Sequence, residues 1–101
     1  MINHIVLFKL KDYPEQEKRE ILTEHVSALM ALKDKIKELK YIEVGINHEL
    51  NSTNYDLALI SHFENLDDLE TYRVHPEHQK VSKRIVETTV PNSRVAVDFE
   101  F

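Results

Sequence analysis

The sequence contains no cysteine, which removes disulfides, thiolate nucleophiles and Cys-based zinc sites from consideration. Glycine is nearly as scarce: Gly45 stands alone. A single glycine cannot build a phosphate-cradling loop or a dinucleotide fingerprint, and no nucleophile-elbow pattern is present. No apolar run approaches the length of a bilayer crossing, so no membrane partner is expected. The chain also lacks the basic start and apolar stretch of a signal peptide, and cytoplasmic residence is the expectation. Positive charge is in short supply. Lys and Arg number 13 against 18 Asp and Glu, a formal net charge of -5, which disfavours nucleic-acid binding through released counterions. The one local basic run, Lys33, Lys35, Lys37 and Lys40, is interleaved with Asp34 and Glu38 and reads as a solvated helix end.

What is present is an ordinary globular composition, 42% hydrophobic over 101 residues, enough for one domain (1–101) with one core. There is no repeat and no Gly/Ser-rich linker. Residues 2–10 (INHIVLFKL) read as a strand stopped by Asp12-Tyr13-Pro14. From Pro14 the period changes. Ile21, Leu22, His25, Val26, Leu29, Leu32 and Ile36 make one stripe of an amphipathic helix, with Glu15, Glu17 and Glu20 complementing its N-terminal dipole. Residues 41–47 (YIEVGIN) and 55–63 (YDLALISHF) are the next strands, separated by turn-forming residues 48–54. Asn65 suits a helix N-cap ahead of Leu66, Leu69 and Tyr72. Pro76 disfavours helix at His75, so one short helix ends there and another begins, with His78, Val81 and Ile85 on one side, and stops near Val90-Pro91. Residues 94–101 (RVAVDFEF) alternate, with Val95, Val97, Phe99 and Phe101 against Arg94, Ala96, Asp98 and Glu100.

The order is β-α-β-β-α-β, an α+β ferredoxin-like domain with a four-stranded antiparallel sheet whose first and third strands are central. Both central strands are apolar on both sides. His4, Val6, Phe8 and Leu10 line one face of the first, while Ile5 and Leu7 line the other. In the third strand Tyr55, Leu57, Leu59, Ser61 and Phe63 oppose Asp56, Ala58, Ile60 and His62. Helices cover one face only, and the other leaves Ile5, Leu7, Ala58 and Ile60 to water. A homodimer formed through this open sheet face is the simplest remedy.

Six histidines are present, and four polar rings fall on the interior layer. His4 lies on the Val6/Phe8 side, His25 in the helix stripe, Tyr72 beside Leu69, and His78 beside Val81 and Ile85. Buried imidazoles and phenols require mutual hydrogen bonds, trapped water or a ligand. A half-polar space between sheet and helices is where small-molecule sites form. Imidazole titrates near neutrality and can take a proton, while a phenol can donate to a developing oxyanion. Structural readings stand beside these: His4 and His25 as satisfied core residues, His75 as a helix cap, and Tyr72–His78 as a plain hydrogen bond between two short helices. His48 and His62 read as loop and outer-face residues. His75-x-x-His78 supplies two imidazoles with no third ligand near, so no metal is expected.

The segments His4-Ile5-Val6-Leu7-Phe8-Lys9-Leu10, Tyr55-Asp56-Leu57-Ala58-Leu59, Leu69-Glu70-Thr71-Tyr72-Arg73-Val74-His75-Pro76-Glu77-His78 and Val97-Asp98-Phe99 together resemble the stress-responsive A/B barrel domain family along the whole chain. The resemblance implies a dimeric α/β barrel in which two four-stranded sheets face each other with helices outside. Most members have no established activity. A plant member, olivetolic acid cyclase, closes a linear polyketide by an aldol reaction with neither metal nor organic cofactor, and the resemblance is distant. Its tyrosine acid and histidine base fall on Tyr72 and His78. Its pocket wall falls on His4, Val6, Phe8, Ile21, Leu22, His25 and Leu59, and its other motif histidine on His75. His25 replaces an aromatic residue, and Ile21 and Leu22 replace a pair of phenylalanines, so the pocket location transfers but the substrate does not. Two functions stay open. One is a pocket for a small, partly apolar carbonyl compound with Tyr72/His78 acid–base chemistry and no cofactor. The other is a non-catalytic dimeric stress-response or interaction module whose His/Tyr cluster is structural.

Overall fold

The first strand, β1 (Ile2–Phe8), and the third, β3 (Leu57–Phe63), run antiparallel at the centre of a four-stranded sheet in a computed structural model that describes residues 1–50 and 53–101. β2 (Tyr41–Ile46) flanks β3 and β4 (Val95–Glu100) flanks β1, which gives the order β2-β3-β1-β4 with every neighbouring pair antiparallel. This is the ferredoxin-like arrangement expected. The helices are α1 (Glu15–Ala31), α2 (Leu66–Val74) and α3 (Pro76–Thr88). The turn expected over 48–54 is described only in part, because residues 51 and 52 lie outside the described residues.

Local chemistry accounts for the element ends. Pro14 caps α1 in extended geometry, and Glu15 and Glu17 occupy the first turn. Leu22, His25 and Leu29 turn inward at helical spacing. The regular helix stops at Ala31, short of the expected stripe, and tightens into a 3-10 turn over Leu32–Asp34. Leu32, Ile36 and Leu39 nevertheless stay in the core. Lys33, Lys35, Lys37 and Lys40 are all exposed. At α2 the Asn65 side chain accepts from the Asp68 backbone N–H at 2.8 Å, the cap its sequence position predicts. His75 is extended (φ -63, ψ 134), as a residue before proline must be. It closes α2 and opens α3, with its Nδ1 accepting the Glu77 N–H at 3.1 Å.

Two departures matter. β1 ends at Phe8, and Leu10 makes only an isolated bridge to Thr89. β3 starts at Leu57, and Asp56, which alternation assigns to the outer face, is buried at 2% exposure. Its Oδ2 accepts the Leu10 N–H at 2.9 Å, and the Lys18 ammonium lies 3.9 Å from Oδ1. Backbone pairing to Phe8 and Asn47 holds Asp56 at the strand entrance. There its carboxylate serves an amide that the ended β1 ladder leaves without a strand partner.

α1 packs on β2 and against α3, and α2 on β3, all on one side of the sheet. β4 is left uncovered, with all six of its residues exposed. Register places Val95, Val97 and Phe99 beside Leu7, Ile5 and Asn3, and Ala96 and Asp98 beside Val6 and His4. The apolar half of β4 therefore extends the open face, and its polar half continues the helix-covered face beyond the helices.

Candidate functional site

A cavity of about 510 Å³ opens between α3 and the β1/β4 side of the sheet, within the size range of small-molecule sites. Val6, Phe8, Leu29, Leu59 and Ile85 supply its apolar wall. His4, His78, Arg73, Arg94 and Lys11 supply much of its polar wall.

His78 stands in the first turn of α3, placed there by the helix restart at Pro76. Its Nδ1 lies 3.0 Å from the Arg73 carbonyl oxygen. That oxygen can only accept, so Nδ1 carries the proton and the neutral ring keeps a free lone pair at Nε2. The Gln79 side-chain amide donates to the same carbonyl at 2.8 Å. Burial pushes His78 below the ordinary imidazole range; the Arg73 carbonyl works the other way, and electrostatic interaction with His4, Arg94 and Arg73 reinforces the lowering. The ring is therefore a neutral proton acceptor at neutral pH.

His4 is 5% exposed on β1, and its Nδ1 is hydrogen-bonded to Asp98 Oδ1 on the neighbouring β4. The carboxylate can only accept, so here too Nδ1 is the donor and Nε2 is left open in the neutral ring.

Tyr72 is fully buried, and its hydroxyl has no hydrogen-bond partner among the described residues. Its ring packs against His78, centroids 4.3 Å apart at 46°, and against Phe63 at 4.9 Å. The hydrogen bond considered between Tyr72 and His78 is thus replaced by a ring contact. Burial pushes the phenol well above its usual range, so it is a donor and never a phenolate near neutrality. Tyr72 is not on the cavity wall; His78, against which it lies, is.

Of the other residues assigned by resemblance to the wall, His4, Val6, Phe8 and Leu59 line this cavity. Ile21, Leu22, His25 and His75 do not. Leu22 and His25 face the core from α1, Ile21 is half-buried against it, and the His75 ring is spent on its cap. His25 has its own arrangement. Its Nε2 lies 2.7 Å from Thr88 Oγ1, whose hydroxyl donates to the Ile85 carbonyl at 3.0 Å. The network assigns the proton to Nε2, and Nδ1 is buried without a partner. A proton there would create an unpaired charged donor. Accordingly burial pushes His25 below the ordinary imidazole range, against the opposing pull of Glu24.

A prediction follows from His25. With a folded-state value below the unfolded one, the folded protein binds fewer protons, so stability is full above the ordinary pKa of about 6.5 and declines as pH falls below it. His78 acts in the same direction. Urea midpoints should drop between pH 7.5 and pH 5, and His25→Gln should flatten part of that slope.

Arg73, Arg94 and Asp98 did not emerge from sequence reasoning. The alternation of 94–101 places Arg94 and Asp98 on one face, but only the register with β1 brings Asp98 to His4. Among the described residues no three His, Asp or Glu side chains converge as a metal site, and no helix is long and apolar enough to cross a membrane.

Residues 2–101 match the stress responsive A/B barrel domain. The chain belongs to that family. By sequence the chain is similar to an uncharacterised protein of Streptomyces coelicolor, 37% identical over 79 residues, 78% of this chain and 80% of that one. Among solved structures, a protein of unknown function from Bacteroides fragilis, described as dimeric with a ferredoxin-like fold, is 42% identical and superposes with a TM-score of 0.89 over 99% of this chain and 95% of that one. The hydroxynitrile lyase of Passiflora edulis has a TM-score of 0.78 over 97% of this A/B barrel chain and 90% of its own, at 16% identity, a likeness of fold alone.

Proposed function

We propose that the protein is a homodimer, paired through its open sheet face into an α/β barrel, whose helix–sheet cavity binds a small, partly apolar carbonyl compound. In this reading His78 accepts a proton from carbon next to the carbonyl, and the Tyr72 phenol donates to the oxygen as charge develops there. The observation that carries it is the wiring of His78. The ring is on the cavity wall, Nδ1 is committed to Arg73, and Nε2 is the remaining basic atom. The Tyr72 ring packs on His78 and its buried hydroxyl has no partner among the described residues; this supports the donor role, because a buried donor without a partner costs a few kcal/mol that a ligand oxygen reaching it would relieve.

Deuterium exchange at the α-carbon of a panel of apolar 1,3-diketones tests this directly. The unaltered protein should catalyse exchange. His78→Ala should lower it by roughly 10²–10⁴-fold, and Tyr72→Phe should lower it while preserving binding. Absence of both binding and exchange across the panel would overturn the reading.

A second reading, a non-catalytic dimeric stress-response or interaction module, is favoured by the position of Tyr72 off the cavity wall. It expects His78→Ala to act on stability alone, through the lost ring contact with Tyr72, since the Arg73 carbonyl keeps the Gln79 amide as donor.

A further inference from the structure

We infer that the ligand of the cavity is a carboxylic acid with an apolar body, its carboxylate held by Arg73 and Arg94; this rests on the cavity reading above. The charged residues on the wall are Lys11, Arg73 and Arg94, and no Asp or Glu lines it. In a chain of net charge -5, a wall carrying cations alone is a local reversal. The Lys11 ammonium is already used, donating to the Glu87 carbonyl at 3.1 Å. Arg73 has only an exposed contact of 3.6 Å with Glu70, a kind of pair that contributes little. Arg94 has no hydrogen bond or ion pair among the described residues. Asp98, on the same side of β4, is engaged by His4.

Arg73 comes from the end of α2 and Arg94 from the approach to β4, yet both act electrostatically on His78. Two guanidinium groups from different elements thus line the same cavity as the His78 imidazole. A carboxylate placed between them gains charge-assisted, fork-shaped hydrogen bonds. The apolar wall of Val6, Phe8, Leu29, Leu59 and Ile85 then receives a hydrocarbon body. An apolar acid fits both halves; an amine would add a further positive charge beside His78, and a neutral alcohol would leave the guanidiniums uncompensated.

Calorimetric titration with octanoate, octanol and octylamine at fixed ionic strength separates these cases. Octanoate should bind about tenfold more tightly than octanol, the scale of a charge-assisted hydrogen bond, and octylamine least tightly. Arg94→Gln and Arg73→Gln, both at exposed positions, should each reduce the ratio of octanoate to octanol affinity, a ratio that cancels any general change in the cavity. Equal binding of octanoate and octanol, or a preference that survives both substitutions, overturns the carboxylate assignment while leaving the cavity reading in place. Failure of all three to bind overturns both.

Discussion

Val97→Glu should hold the protein as a monomer at concentrations where the unaltered chain pairs. Register aligns Val97 with Ile5, Ile5 with Ile60, and Ile60 with Glu43 across the open face. The next row is Val95, Leu7, Ala58 and Gly45. Val97 is 53% exposed, Val95 45% and Phe99 43%, a concentration of uncovered apolar surface along β4 that a lone soluble chain seldom carries. Because Val97 faces water in the single chain, a glutamate there should cost the fold little, within about 0.5 kcal/mol. In the proposed pair the same carboxylate loses its water, at a cost of about 3–5 kcal/mol, or roughly 10²–10⁴-fold in dimer dissociation constant. Sedimentation equilibrium reads this out. Leu66→Glu, at a position 62% exposed on the helical side, should leave pairing intact. A monomeric unaltered protein, or a dimer indifferent to Val97→Glu, would reject pairing through this face.

The second large effect lies at Asp56. Its carboxylate is 2% exposed and accepts from the Leu10 amide, with the mostly buried Lys18 ammonium 3.9 Å away. Asp56→Ala removes the acceptor and strands both partners, an amide and an ammonium. Breaking a buried pair from one side costs about 3–5 kcal/mol, a large share of the stability of a domain this size. Asp56→Asn keeps an oxygen for the Leu10 amide and loses only the charge, so its cost should be smaller, about 1–3 kcal/mol. Urea denaturation at one fixed protein concentration, so that any self-association weighs equally on all three, should rank unaltered, Asn and Ala in that order. Equal stability of all three would mean that the contact is idle.

Asp56 also illustrates what could not be read in advance. Strict alternation gave it the outer face together with Ala58, Ile60 and His62, and those three do stand there. Periodicity reports a strand's interior well; it fails at the entrance, where the ladder has not yet begun and a side chain is free to turn inward. The elements themselves were legible because strong local signals coincide with them. Asn65 caps α2, Pro76 divides α2 from α3, and the two-sided apolarity of β1 and β3 marks them as central. The wall of the cavity was legible only where it belongs to β1, β3 and His78. For α1, the stripe through Ile21, Leu22 and His25 announces burial without saying against what, and the structure packs it into the core away from the cavity. Arg94 and Asp98 were hidden for a related reason. An edge strand's alternation defines two sets of residues, and only its pairing with β1 decides which set meets the helices.

That pairing gives β4 two separate duties within six residues. Val95, Val97 and Phe99 enlarge the greasy back of the sheet, while Asp98, with Arg94 just ahead of the strand, reaches His4 and the cavity in front. Because side chains alternate with a period of two, a shift by one residue would exchange the duties wholesale. Phenylalanine and valine would then turn toward the imidazoles, and aspartate and arginine toward the proposed pairing surface. The Pro91–Asn92 bend before the strand, where Asn92 adopts a left-handed φ of 63, sits where such a slip would begin. A single-residue insertion or deletion at this bend is therefore poised to disturb assembly and ligand chemistry together.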